Sequence, residues 1–148
     1  MPVDVLTERI LDVPREVVAA FAGDPTNAPR WYANIEDVTL LTPPPPAVGS
    51  RMGFRARFLG RVLEYVYEIV ELDPGRRLVM RTEHGPFPME TSYEWHDAGP
   101  GRTRMTLRNR GEPTGFAAIT APALAAAMRR ATRKDLARLA QVLAAGRD

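Results

Sequence analysis

The stretch that decides the fold runs from Arg51 to Leu72 and reads RMGFRARFLGRVLEYVYEIVEL. Apolar and charged residues alternate on both sides of Gly60, which is typical of two half-buried strands joined by a tight turn. We place the turn at Gly60-Arg61, because its first position favours positive φ, which glycine adopts without strain. The predicted cross-strand pairs are Leu59 with Val62, Phe58 with Leu63, Ala56 with Tyr65, Phe54 with Tyr67 and Met52 with Ile69. This hairpin has one apolar, aromatic face, and on its other face Arg57 lies opposite Glu64.

The apolar face of the hairpin needs a cover, and the end of the chain supplies a helix. Apolar residues recur there at helical spacing and Pro122 suits a helix start, so we predict a helix at about 122–145. Alanines at 123, 125, 126, 127 and 131 favour helix and allow it to approach a sheet closely. The remaining helix surface carries Arg129, Arg130, Arg133, Lys134 and Arg138. We interpret it as a solvated face, with contact to an anionic partner as the alternative.

The other elements complete an α+β pattern. Two short helices are predicted after the first strand, starting near Pro14 and Pro25, because proline suits the first turn of a helix. The run Pro43–Pro46 reads as a stiff connector. Alternation and turn residues predict the remaining strands at Val3–Leu11, Ile35–Thr42, Leu78–His84, Phe87–His96 and Thr103–Arg110.

Length and composition exclude several classes of protein. We expect residues 1–148 to form a single domain, without a membrane span, since no apolar run reaches 18 residues. The N-terminus lacks a basic-then-apolar signal pattern, so we expect a cytoplasmic protein. Cysteine is absent, which excludes disulfides and thiol catalysis. The 20 basic residues include only one lysine, which with the abundant alanine and proline suggests a GC-rich, bacterial genome.

Nucleic-acid binding is disfavoured despite this basic composition. The formal net charge is only +2, and the strand arginines are interleaved with glutamates rather than gathered into one stripe. No cofactor is predicted, because the chain has neither a GxGxxG nor a GxxxxGK[ST] motif. No metal site is predicted either, because only His84 and His96 could supply imidazole and they share no ligand motif.

Strand parity and the helix pattern define a set of inward residues that could line a cavity. These candidate ligand-binding residues are Trp31, Phe54, Phe58, Tyr65, Tyr67, Met80, Thr82, His84, Met89, Thr91, Tyr93, Trp95, Met105, Asn109, Leu124 and Met128. Each apolar member can also be ordinary core, which is the preferred interpretation for Phe54 and Met105. The inward hydroxyl, amide and imidazole groups are easier to understand if they meet water or a ligand. His84, Tyr67 and Tyr93 are the candidates for proton transfer and for orienting a carbonyl group.

Several stretches resemble the START-like superfamily, also called the Bet v 1-like, SRPBCC or helix-grip fold, and within it the polyketide cyclase/dehydrase-like branch. They are ILDVPREVV from Ile10, Asp24-Pro25 leading to Trp31, YEIVELDP from Tyr67, Gly101-Arg102-Thr103 and Asp135-Leu136. The resemblance implies a curved antiparallel sheet of about seven strands wrapped around the C-terminal helix. It also implies a cavity for a hydrophobic small molecule between them. Relatives include lipid, sterol and hormone carriers, aromatase/cyclases and chaperone-associated proteins.

Three function classes follow from this resemblance. The first is a binding protein for an apolar or aromatic, lipid- or polyketide-like molecule, and a large cavity with unpartnered hydroxyls favours it. The second is a cyclase/dehydratase-type enzyme, which an inward His or Arg bonded to an inward tyrosine favours. The third is a protein-interaction module of the chaperone-activator type, which a cavity well below ~300 Å³ favours. Whether the protein is a monomer or a homodimer stays open.

Overall fold

The computed structural model describes residues 3–84, 88–112 and 120–146, with the side chains of Glu83 and His84 left aside. Seven strands and three helices follow one another in the predicted order, and a short 3-10 turn at Pro25–Asn27 precedes the second helix. The strands are β1 (Val3–Leu11), β2 (Ile35–Leu40), β3 (Arg51–Phe58), β4 (Arg61–Asp73), β5 (Arg77–His84), β6 (Met89–Asp97) and β7 (Thr103–Gly111). The helices are α1 (Arg15–Ala22), α2 (Ala28–Trp31) and α3 (Ala121–Ala145).

All seven strands form one antiparallel sheet in the order β1-β7-β6-β5-β4-β3-β2. Register shifts in β4 against β5, and in β2 against β3, mark bulges, which bend and twist a sheet. The helix-grip architecture predicted from the sequence is confirmed. Several strand boundaries differ by one or two residues, and β2, for example, ends at Leu40 instead of Thr42. Strand β6 begins at Met89, and Phe87, where the prediction begins it, lies outside the described residues.

Helix α3 has two halves with different roles. Leu136, Leu139 and Leu143 in its C-terminal half are buried in the core. The helix packs against β1 and α2, at one edge of the sheet. Its N-terminal half lies over the central strands, where Leu124 is buried and Met128 and Ala131 are half-buried. The C-terminal half thus anchors the helix, and the N-terminal half covers the apolar face of the sheet.

The register of the β3–β4 hairpin corrects the sequence prediction. The two turn residues are Leu59, with φ of 50°, and Gly60, with φ of 78°, instead of Gly60-Arg61. Positive φ at both positions is the requirement of a type I′ turn, whose twist matches that of the flanking strands. The observed pairs are Phe58 with Arg61, Ala56 with Leu63, Phe54 with Tyr65 and Met52 with Tyr67, and Arg55 instead of Arg57 lies opposite Glu64. The shift is two residues, so every side chain keeps its predicted face.

The solvent face of the sheet carries charges whose sign alternates from strand to strand. Strands β1, β6, β4 and β2 present acidic residues, whereas β7, β5 and β3 present arginines. Every pair of neighbouring strands has at least one ion pair between them. They include Arg108–Asp4 at 2.5 Å, Arg110–Glu90 at 2.6 Å, Arg81–Glu90 at 2.8 Å, Arg77–Glu71 at 3.2 Å, Arg55–Glu64 at 3.9 Å and Arg55–Glu36 at 3.5 Å. Each exposed pair contributes little energy, but the pattern as a whole penalises wrong strand order.

We expect the substitution Leu59→Asn to raise the midpoint of thermal unfolding by about 3 °C. Asparagine adopts positive φ more readily than leucine, which is worth about 1 kcal/mol in a chain of this length. Leu59 is 47% exposed, so the loss of burial is small. Thermal unfolding followed by circular dichroism measures the shift. Gly60→Ala is the matched control and should lower the midpoint. Equal midpoints for all three proteins would contradict the turn assignment.

Candidate functional site

A cavity of about 150 Å³ lies between the N-terminal half of α3 and the inner face of the sheet, partly open to solvent. Its lining is mainly apolar. Helix α3 contributes one face to it, with Leu124, Met128, Ala131, Thr132 and Asp135 at helical spacing. The cavity is thus the space that these side chains leave between α3 and the sheet.

Eleven of the sixteen residues predicted for the cavity wall do line this cavity. They are Phe54, Phe58, Tyr65, Tyr67, Met80, Met89, Thr91, Tyr93, Asn109, Leu124 and Met128. Inside the wall Phe54 stacks on Tyr65, with ring centroids 5.4 Å apart, and meets the edge of Tyr67 at 5.2 Å. These rings form a rigid apolar floor above β3 and β4.

Four predicted residues lie away from the cavity wall. Trp95 and Met105 pair across β6 and β7 and are buried core, as is Trp31 on α2. The physical reason is that α1 and α2 cover this end of the sheet. The Trp95 ring lies against Gly23 at the end of α1, so close that a Cβ added to this glycine would be 3.2 Å from it. The Thr82 hydroxyl accepts the Met89 N–H at 2.9 Å, so it is used between β5 and β6. The side chain of His84, the fifth, lies outside the described residues.

One polar group of the cavity is a pair of tyrosines that the sequence analysis recognised only in part. The hydroxyls of Tyr32, at the end of α2, and Tyr93, on β6, are 2.7 Å apart. One hydroxyl hydrogen is used between them, which leaves the pair one O–H to donate. Burial raises the pKa of both hydroxyls well above the ordinary value, so both stay protonated at neutral pH.

Asp135 is the functional candidate that the sequence analysis missed. It lines the cavity and is 2% exposed, and its Oδ1 accepts the backbone N–H of Ala33 at 3.0 Å. Burial raises the pKa of the carboxyl to about 6, although the Ala33 N–H and the Arg138 charge oppose the shift. A carboxyl with a pKa near neutrality can take up or release a proton under physiological conditions. The available signal was an acidic residue inside the apolar stripe of α3, between Thr132 and Leu136.

A second polar group runs across three strands. The Tyr67 hydroxyl on β4 and the Thr91 hydroxyl on β6 are 2.7 Å apart, and Thr91 donates to Asn109 Oδ1 on β7 at 2.7 Å. Burial raises the pKa of Tyr67 to about 12, so this hydroxyl is also protonated. Among the described residues no His or Arg hydrogen-bonds a cavity tyrosine, and no cluster of three His, Asp or Glu residues could hold a metal. No described helix is long and apolar enough to span a membrane.

The seven-stranded sheet, the long C-terminal helix and the short helices after β1 make up the helix-grip fold of START-like proteins. More particularly, the chain belongs to the family described as polyketide cyclase / dehydrase and lipid transport, whose model matches residues 2–144. Among curated proteins, no sequence matches this chain significantly.

Solved structures with similar folds cover nearly the whole chain. TTHA0849 from Thermus thermophilus has a TM-score of 0.84 and 20% identity, over 98% of this chain and 99% of that one. The Zhui aromatase/cyclase from Streptomyces sp. has a TM-score of 0.77 and 17% identity, over 97% and 94%. A START superfamily protein from Mycobacterium smegmatis has a TM-score of 0.74 and 15% identity, over 97% and 95%. Likeness at these identities supports the fold alone.

We expect Asp135→Asn to be more stable than the unsubstituted protein at neutral pH. The folded protein keeps the Asp135 proton up to a pH of about 6, whereas the unfolded chain releases it near its ordinary pKa of 3.8. The unsubstituted protein therefore loses stability as the pH rises through this window, by up to about 3 kcal/mol. Asparagine keeps an acceptor for the Ala33 N–H and carries no charge.

Urea unfolding at pH 4 and at pH 7.5 measures this effect. The stability gain of Asp135→Asn should appear at pH 7.5 and be nearly absent at pH 4. Asp37→Asn, which neutralises an exposed carboxylate, is the control for the loss of one charge. A gain of equal size at both pH values would show that ionisation of Asp135 is not its cause.

Proposed function

We propose that this protein binds a compact apolar small molecule, with an enclosed part about the size of one substituted aromatic ring, in the cavity under α3. The cavity is the observation that carries the proposal: it has aromatic and aliphatic walls and a few polar groups on them. An apolar cavity of ~150 Å³ is large enough for benzene. A longer lipid- or polyketide-like ligand would have to extend through the open mouth.

The small volume is also the observation that favours the interaction-module alternative. At about 150 Å³ the cavity is below the ~300 Å³ at which a drug-sized molecule is buried completely. The buried carboxyl of Asp135 argues for the cavity instead, because a surface-binding module gains nothing from an internal group whose ionisation costs stability. Binding of a compact ligand accounts for both observations.

Filling the cavity tests the proposal. Toluene is the probe, and its binding to ¹⁵N-labelled protein is followed by amide chemical shifts. We expect Ala131→Leu to weaken toluene binding at least tenfold, because Ala131 lines the cavity and leucine occupies the same space. Ala126→Leu introduces the same side chain at an exposed position of the same helix and should bind toluene normally.

Two results would contradict the proposal. One is the absence of any saturable shift with toluene. The other is unchanged binding by Ala131→Leu, which would place the probe elsewhere on the protein. Native mass spectrometry of freshly purified protein can identify a natural ligand that co-purifies with it. A stoichiometric apolar molecule that is present in the unsubstituted protein and absent from Ala131→Leu would show the chemical class of that ligand.

A second candidate function, a cyclase/dehydratase-type enzyme, is favoured by one specific observation. Asp135 lies on the same cavity wall as Tyr32 and Tyr93, and the pKa of its carboxyl is raised by burial to about 6. Above that pH the carboxylate can accept a proton from the carbon beside a ligand carbonyl. The tyrosine pair can donate its remaining O–H to the enolate oxygen that forms.

Proton exchange tests the enzyme candidate without a known substrate. We expect the protein to accelerate exchange of the methyl protons of acetophenone for deuterium in D₂O, with a rate that rises as the pH passes about 6. Asp135→Asn should abolish the acceleration, and Asp37→Asn should keep it. Nuclear magnetic resonance of the acetophenone methyl signal measures the rate. Exchange no faster than in buffer, or equally fast with Asp135→Asn, would exclude this role for Asp135.

A further inference from the structure

The hydrogen-bond chain through Thr91 has only one possible direction. The Thr91 hydroxyl has a single hydrogen, and it is donated to Asn109 Oδ1 at 2.7 Å. The hydroxyl of Tyr67, 2.7 Å from Thr91 Oγ1, must therefore donate to Thr91. The hydrogens of both hydroxyls are used within the wall, so neither Tyr67 nor Thr91 has a hydrogen left for a ligand.

Asn109 is where this chain ends, and its amide NH₂ still has hydrogens to donate. Its Oδ1 is occupied by Thr91, and none of the described residues accepts a hydrogen bond from Nδ2. The side chain is half-buried and lines the cavity between Thr91 on β6 and Val5 on β1. A donor fixed in this way, at the edge of an apolar cavity, favours a ligand with an acceptor at the matching position.

We propose that Asn109 selects ligands that carry a neutral oxygen acceptor, a carbonyl group above all, beside the apolar ring held in the cavity. This inference rests on the proposed binding function and adds the polar group of the ligand to it. Thr91 and Tyr67 act on the ligand through Asn109: they hold its amide plane, so that Oδ1 faces the wall and Nδ2 faces the cavity. The wall thereby discriminates against groups of the same shape that cannot accept a hydrogen bond.

The test uses two probes of nearly identical shape. Acetophenone has a carbonyl oxygen, and α-methylstyrene has a methylene group in its place. Dissociation constants are measured by amide chemical shifts, and the side-chain NH₂ signals of Asn109 are followed in the same spectra. In the unsubstituted protein acetophenone should move these signals, and α-methylstyrene should not. Asn109→Asp keeps an acceptor for Thr91 and replaces the NH₂ donor by an oxygen. This substitution should raise the dissociation constant of acetophenone about fivefold to tenfold, which corresponds to the loss of one hydrogen bond. The dissociation constant of α-methylstyrene should not change.

Gln141→Glu is the matched control, since it also converts an amide into a carboxyl group, at an exposed position of α3 that does not line the cavity. It should leave the ratio of the two dissociation constants as it is in the unsubstituted protein. An unchanged ratio of the two dissociation constants in Asn109→Asp would overturn the inference. If both constants rise by the same factor, the role of Asn109 is structural. If neither probe binds the unsubstituted protein, the proposed function itself fails, which is a different result from binding without discrimination.

Discussion

The structure depends on the way one helix is held at one edge of a curved sheet. Leu136, Leu139 and Leu143 fix the C-terminal half of α3 in the core, where the helix also packs against β1 and α2. The helix is continuous over its 25 residues, and its N-terminal half extends above the central strands. The side chains that line the space below this half, among them Leu124, Met128 and Ala131, leave it partly empty. The cavity follows from the anchoring of α3, and so does the identity of the residues that line it.

Asp135 lies where the anchored half of α3 meets the half that covers the cavity. Its bond to the Ala33 N–H joins α3 to the segment between α2 and β2, which also carries Tyr32. The same carboxyl faces the cavity, and burial makes its ionisation unfavourable near neutral pH. An asparagine could make the structural bond without that cost. A group that lowers stability at neutral pH is what a functional position is expected to show.

The sequence predicted which face each strand residue occupies far better than what that face meets. Alternation with a period of two assigned Tyr67, Thr91 and Asn109 to the inner face, and their positions follow from it. The turn was misplaced because Gly60 suits either position of a two-residue turn, and the sequence gives no sign that Leu59 would adopt positive φ. Tyr93 and Trp95 lie two residues apart on the same face of β6, so the alternation pattern treats them alike. In the structure Tyr93 lines the cavity, whereas Trp95 is covered by α1. That distinction depends on where the short helices lie, which is a tertiary property.

The distribution of charge explains why a basic chain need not be a nucleic-acid-binding one. On the sheet, arginines on three strands lie between acidic residues on the neighbouring strands, so their fields largely cancel beyond one Debye length. On α3 the basic residues at 129, 130, 133, 134 and 138 form no ion pair with a described acidic residue. The acidic residue among them, Asp135, points inward. The positive field of the described chain therefore comes mainly from one helix, the one that closes the cavity. A surface that binds a nucleic-acid backbone would instead be an extended basic surface.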